Sequence, residues 1–133
     1  TLHHNYFHNV VQRVPRVRYG QVHMYNNYFA SDTANGEYAY AYSLGVGKHS
    51  QIYAESNVAD IAGKDCTSFV KVFGGKQLTT VNNMFNGKII DTFNDTLTAV
   101  DWKPELFTTI DPVNEVKEKV LHNAGPITRL TDY

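Results

Sequence analysis

One cysteine, Cys66, is all the chain contains. That excludes an internal disulfide and leaves no second thiolate for a metal site, so Cys66 is expected as a buried structural thiol. No apolar run is long enough to cross a bilayer. Neither charge sign prevails: Lys+Arg is 12 against Asp+Glu 13, a formal net charge of -1. A nucleic-acid binder would carry a basic bias or a long basic stripe, so neither nucleic acid nor membrane is expected as a partner. No signal peptide is recognisable, and the chain opens on Thr1 in what reads as mid-strand, so this says nothing about secretion. No carboxylates cluster at the spacing of a Ca²⁺-binding loop.

Proline is also scarce, and one of the four falls in the most informative stretch, Gln12-Arg-Val-Pro-Arg-Val-Arg18-Tyr-Gly20. Pro15 is incompatible with a helix interior and pushes Val14 toward an extended conformation. In extended backbone, residues two apart share a face. Arg16 and Arg18 then point one way and Val17 the other, with Arg13 at a bend beside them. Guanidinium groups gathered in this way suit an acidic ligand, because the planar fork binds carboxylate or phosphate with two hydrogen bonds. Surface arginines paired with acids between strands are the plainer alternative.

A phrase of asparagine followed by large apolar residues recurs: Asn5-Tyr-Phe7, Asn27-Tyr-Phe29, a worn Asn57-Val-Ala59 and Asn83-Met-Phe85. The asparagines stand 22, 30 and 26 residues apart. Each follows a β-prone stretch: Thr1-Leu2, Val22–Tyr25, Gln51–Ala54 and Leu78–Val81. A period in the twenties with one short strand per repeat indicates a solenoid, and here a parallel β-helix. Stacked asparagines would form a hydrogen-bonded ladder. Glu37–Tyr42 alternates tyrosine with alanine and reads as a strand whose tyrosines pack or stack on sugars; Ser68–Phe73 reads as another, ended by Gly74-Gly75. Turns are expected at Asn35-Gly36, Gly45–Gly47, Gly63 and Asn86-Gly87.

Residues 91–110 read as irregular, with a glycosylation sequon at Asn94–Thr96 that matters only in a eukaryotic secretory context. Residues 111–124 read as a terminal helix. Asp111-Pro112 supplies the cap and first position, and Gly125-Pro126 the stop. Val113, Val116, Val120 and Leu121 form its apolar stripe. His4 and His8 are four apart, a metal-ligand spacing only on a helix. In strand and turn, His3, His4, His8 and His23 are expected to pack and hydrogen-bond.

His3–Phe7, Gln12–Gly20 and Val22–Tyr28 together resemble the pectate lyases of polysaccharide lyase family 1. The likeness continues more loosely through Ile52–Asn57, Val81–Asn83 and the Asp-Pro helix. The resemblance implies an all-β, right-handed parallel β-helix with a C-terminal helix packed on it, residues 1–90 forming the rungs. It implies secreted, Ca²⁺-dependent β-elimination of polygalacturonate or pectin by a protein that is monomeric at full length. By position in the motif, Arg13 corresponds to the residue that removes the C5 proton. Arg18 corresponds to a ligand of the substrate carboxylate; Arg16 falls where family members vary and takes only a supporting electrostatic role in substrate binding. Free guanidinium stays protonated to above about pH 12, so a base of this kind implies an alkaline activity optimum. Lys48 is a further position within conceivable reach of substrate.

The family's Val-Trp-Ile-Asp-His phrase, its Ca²⁺ ligands and a catalytic-site lysine have no counterpart in the sequence. Residues 1–133 are therefore expected to be the C-terminal part of a single catalytic domain, inactive or nearly so alone. A pectin lyase on the same fold, acting on methyl-esterified polymer without Ca²⁺, is one alternative. A non-catalytic carbohydrate-binding or adhesin β-helix is another.

Overall fold

The computed structural model describes residues 1–33 and 36–125. Asn35 of the expected first turn and Pro126 of the expected helix stop lie outside them. The chain winds between two parallel sheets. The first is built from β1 (Leu2–His3), β3 (Arg16–Tyr25), β5 (Leu44–Glu55), β7 (Val70–Phe73) and β8 (Gln77–Val81), with β7 and β8 pairing successive parts of β5. The second runs β2 (Tyr6–His8), β4 (Tyr28–Ser31), β6 (Val58–Ile61), β9 (Asn83–Phe85) and β10 (Lys88–Ile90). Apart from an isolated antiparallel bridge between Gly47 and Gly74, all pairings are parallel except the β9–β10 hairpin, which turns through Asn86-Gly87 with both residues at positive φ. The fold is the parallel β-helix that the Asn repeat points to.

The repeat phrases fall in register. Tyr6, Tyr28, Val58 and Met84 occupy one position of successive rungs, and Phe7, Phe29, Ala59 and Phe85 the next. Tyr6 stacks on Tyr28 at 5.4 Å and Phe7 on Phe29 at 4.9 Å between ring centroids. The asparagines before them form a continuous ladder. Nδ2 of Asn5, Asn27 and Asn57 each donates to Oδ1 of the next asparagine, at 3.1, 3.0 and 3.0 Å. That same oxygen accepts the preceding asparagine's backbone N–H. The residues ahead of the ladder, His4, Asn26, Ser56 and Asn82, all take left-handed φ of 50–54°. This sharp corner turns each rung from one sheet to the other.

Between the sheets lies one apolar core that includes Met24, Ile52, Leu78, Phe29, Phe85, Phe69 and Phe93. Two expected strands change form. Glu37–Tyr42 is a turn and irregular segment: Tyr40 and Tyr42 are buried, while Tyr38 points to solvent. Its backbone bonds reach back to Thr33 and Val11 rather than to a neighbouring strand, so the tyrosines share no face. Ser68–Phe73 starts as a 3-10 turn over Cys66–Phe69, capped by Asp65, before β7 begins. Cys66 is half-buried against the core rather than enclosed.

The segment after β10 crosses the outer face of the first sheet, from the β8 rung back toward β3. It does so through the Gln77–Thr98 bridge, Trp102 near Tyr53, and Phe107 against His23. It ends at a reciprocal pair, where Asp111 N–H donates to Asn26 Oδ1 at 2.8 Å and Asn26 Nδ2 to the Asp111 carbonyl at 2.9 Å.

Helix α1 (Val113–Asn123) packs Val116 and Val120 on Tyr28 and Val58, outside the second sheet. Leu121, expected on this stripe, is exposed. Asp111 does not cap the helix; Pro112 holds that position. The Asp111 carboxylate is already taken by His4 Nε2 at 2.7 Å and Lys119 Nζ at 2.9 Å. Those donors, His4 first, hold its carboxyl below the usual value of 3.8. A depressed carboxyl adds stability above its ordinary value, and that stability is lost as pH falls through the depressed one. Protection of the α1 amides, relative to their intrinsic exchange rate at each pH, is therefore expected to fall below about pH 4, and Asp111→Asn should flatten that dependence.

Candidate functional site

The bend between β2 and β3 carries Arg13. Its φ is +66°, and the Val14–Pro15 peptide that follows is cis. The other non-glycine residues at positive φ are four asparagines, one serine and one histidine, four of the six in the ladder corner. Arg13 belongs to no such repeat, and a long side chain held in this region is a mark of a functional position. The bend is pinned to the next turn by Val14 N–H to the Ser43 carbonyl at 2.8 Å and Gly45 N–H to the Pro15 carbonyl at 2.9 Å.

β3 then alternates as expected. Val17 is buried, and Arg16 and Arg18 are exposed. The two arginines line one cleft of about 540 Å³ with Gly47, Lys48, Phe73 and Gly74. Arg13 sits on the bend just ahead of this cleft and is not part of its lining. The Arg16 guanidinium lies 3.7 Å from the centroid of Phe73, a cation–π contact that fixes its plane. Lys71 adds a cation 5.4 Å from the same ring.

The cleft exists because strand pairing is interrupted on both sides of it. Between Val17 and Tyr19 the β3–β5 register slips, so Gly47 and Lys48 together oppose Arg18. On the other side the chain leaves the sheet at Gly74 and rejoins it at Gln77. Gly45 and Gly47, expected as a turn, lie inside β5, where they allow close approach. A Cβ on Gly45 would stand 2.8 Å from Arg16 Cγ. One on Gly47 would stand 2.2 Å from the Val17 carbonyl oxygen and 2.7 Å from Arg18 Cα. Gly47→Ala is expected to push β3 and β5 apart, lowering stability by about 3 kcal/mol in thermal unfolding and displacing Arg18.

Among the described residues none of these cations is paired with an acid. The ion pairs among the described residues join His4, Lys117 and Lys119 to acids around the helix, and His23 to Glu55. None involves Arg13, Arg16, Arg18, Lys48 or Lys71, so among the described residues these arginines are not paired with acids between strands. The histidines pack: His3 stacks on Tyr25 at 4.7 Å, His8 on Tyr6 at 5.3 Å, and buried His23 bonds Glu55 at 2.7 Å. Among the described residues no group of three or more His, Cys, Asp or Glu stands close enough to hold a metal ion. The oxygen donors Ca²⁺ requires are not assembled there. No helix among the described residues is long and apolar enough to cross a membrane.

Phe73 and Lys71 escaped the sequence reading, since they reach Arg16 only through the rung stacking of β7 on β5. The Gly74-Gly75 that ends β7 was their one visible signal.

A family model described as pectate lyase matches residues 1–126. A pectate lyase of Bacillus subtilis strain 168 is 43% identical over 128 residues, covering 94% of this chain and 30% of that protein. The solved structure of a pectate lyase bound to a hexasaccharide superposes with a TM-score of 0.88 at 42% identity, covering 93% of this chain and 32% of that one. Another structure, from work on substrate specificity and the anti β-elimination mechanism of pectate lyase, matches with the same TM-score, identity and coverage. The chain spans about a third of the length of these relatives. It belongs to the pectate lyase family.

Proposed function

We propose that this chain supplies the arginine side of a pectate lyase active site, in a protein that cleaves polygalacturonate by β-elimination. The observation that carries the reading is the cleft of guanidinium groups, Arg16 and Arg18, which pair with no acid among the described residues, with the left-handed bend at Arg13 just ahead of it. A polyuronate offers one carboxylate per sugar, and unpaired arginines are the side chains that grip carboxylates best.

In this reading Arg13 acts as the base and takes the proton from C5 of a galacturonate. The electron pair left behind forms the C4–C5 double bond, and the C4–O4 bond breaks. The departing glycosidic oxygen acquires a proton from solvent, and the new chain end is an unsaturated uronide. Negative charge builds on the C6 carboxylate as the C5 proton leaves. Arg18, with Arg16 beside it on Phe73, stands where that charge develops and lowers the barrier. Ca²⁺ belongs to the proposal as a cofactor of the intact enzyme, held by chain other than the residues described. The extracellular setting and a monomeric state are part of the same reading.

The test is ultraviolet detection of unsaturated product from polygalacturonate, using a protein of the relatives' full length with and without a calcium chelator. Product that disappears with chelator is expected. Chelator-resistant product would favour a pectin lyase, and no product under any condition would leave a non-catalytic β-helix.

A further inference from the structure

The arginine cleft does not end at Lys48. A second cavity of about 560 Å³ opens beside it, lined by Lys48, Ser50, Gln51, Gly74, Lys76 and Gln77 among others. Lys48 and Gly74 line both, so the two form one continuous groove. The groove crosses β3, β5 and the β7–β8 break, two rung steps or about 10 Å, which is longer than one sugar ring. It also changes character along its length. The arginine end is cationic, with an aromatic platform. The far end keeps the cations Lys48 and Lys76 above a floor of amides. Gln21 Nε2 donates to Gln51 Oε1 at 3.1 Å, and Gln51 Nε2 to Gln77 Oε1 at 3.0 Å. One carboxylate reaches that floor, Asp101, and Gln51 Nε2 holds it at 2.7 Å. Neither Lys48 nor Lys76 has an acidic partner among the described residues.

We infer that Lys76, with Lys48, forms a distal subsite that selects a free uronate carboxylate at least one sugar away from the linkage being cut. This rests on the pectate lyase reading and deepens it. The protein would require an unesterified sugar not only at the scissile position but also farther along the polymer. A methyl ester carries no charge for an ammonium to hold, so an esterified sugar gains nothing from Lys76. The amide floor meets the sugar hydroxyls and does not depend on esterification.

The experiment compares Lys76→Gln and Lys76→Arg with wild type in the full-length enzyme. Two readouts are taken: kcat/KM, and binding by calorimetry, each for tri- and hexagalacturonate. Wild type is expected to prefer the hexamer. Lys76→Gln should shrink that preference by about five- to twentyfold, the range for a partly exposed charge-assisted hydrogen bond, and Lys76→Arg should restore it. Discrimination between polygalacturonate and highly methylated pectin should fall in parallel. A hexamer-to-trimer ratio unchanged in Lys76→Gln, in turnover and in binding, overturns the subsite. Should the wild-type enzyme make no product, the proposed reaction fails. The binding ratio still decides the subsite: loss of the length preference in Lys76→Gln supports it, and an unaltered ratio overturns it.

Discussion

Asn57→Ala is expected to destabilise the protein by about 3–5 kcal/mol, a large share of the 5–15 kcal/mol typical of a domain. Asn57 is 3% exposed, and its side chain makes four hydrogen bonds. Its Oδ1 accepts from the backbone N–H and the Nδ2 of Asn27, at 2.9 and 3.0 Å. Its Nδ2 donates to the Met24 carbonyl at 3.1 Å and to Asn83 Oδ1 at 3.0 Å. Alanine removes all of these and strands their partners in a dry interior, where an unmade bond costs more than a made one contributes. Asn57→Asp keeps the acceptor but turns a carboxylate oxygen toward two other acceptors, the Met24 carbonyl and Asn83 Oδ1, so its loss is expected to be at least as large as alanine's. Asn123, exposed at the end of α1, is the contrast, and its replacement by alanine should change stability by less than about 0.5 kcal/mol. Urea denaturation of the three variants would check the order.

The ladder was legible in the sequence because a solenoid repeats one environment. The same side chain then serves the same corner each time, even where Val58-Ala59 has worn the phrase away. The alternation of Arg16, Val17 and Arg18 was legible for a related reason, since the period of a strand is local. What escaped reading depends on contacts between rungs. Tyr38, Tyr40 and Tyr42 alternate like a strand, but their backbone bonds go to Thr33 and Val11, and that path decides which rings are buried. Gly45 and Gly47 look like a turn until the neighbouring strand is placed against them. Leu121 fits the helical stripe, but the helix buries Val116 and Val120 against the sheet, with Val113 packed beside them, and leaves Leu121 exposed. The Arg16–Phe73 contact joins residues far apart in sequence through rung stacking.

Arg13→Ala in the full-length enzyme is expected to lower kcat by about 10³-fold, the usual scale for a positioned acid–base group. The position tolerates the change structurally, because Arg13 is exposed and in none of the ion pairs of the described residues. Its left-handed φ of +66° penalises arginine and alanine alike, since the cost comes from the Cβ both carry, so stability should stay nearly unchanged while activity collapses. Arg18→Ala should cost about 10²–10³-fold and also raise KM, since the same guanidinium is proposed to hold the carboxylate before and during the reaction.

The central claim is that Arg13 moves the proton while Arg16 and Arg18 hold the substrate. It is tested most directly by unsaturated-product formation from polygalacturonate by full-length wild type and Arg13→Lys, across the alkaline range, with hexagalacturonate affinity measured alongside. The account predicts that Arg13→Lys binds within about threefold of wild type, less than one charge-assisted hydrogen bond is worth. The same variant should form product at least about 10²-fold more slowly at every pH. Wild-type rates in Arg13→Lys, or a loss of rate matched by an equal loss of binding, would contradict it.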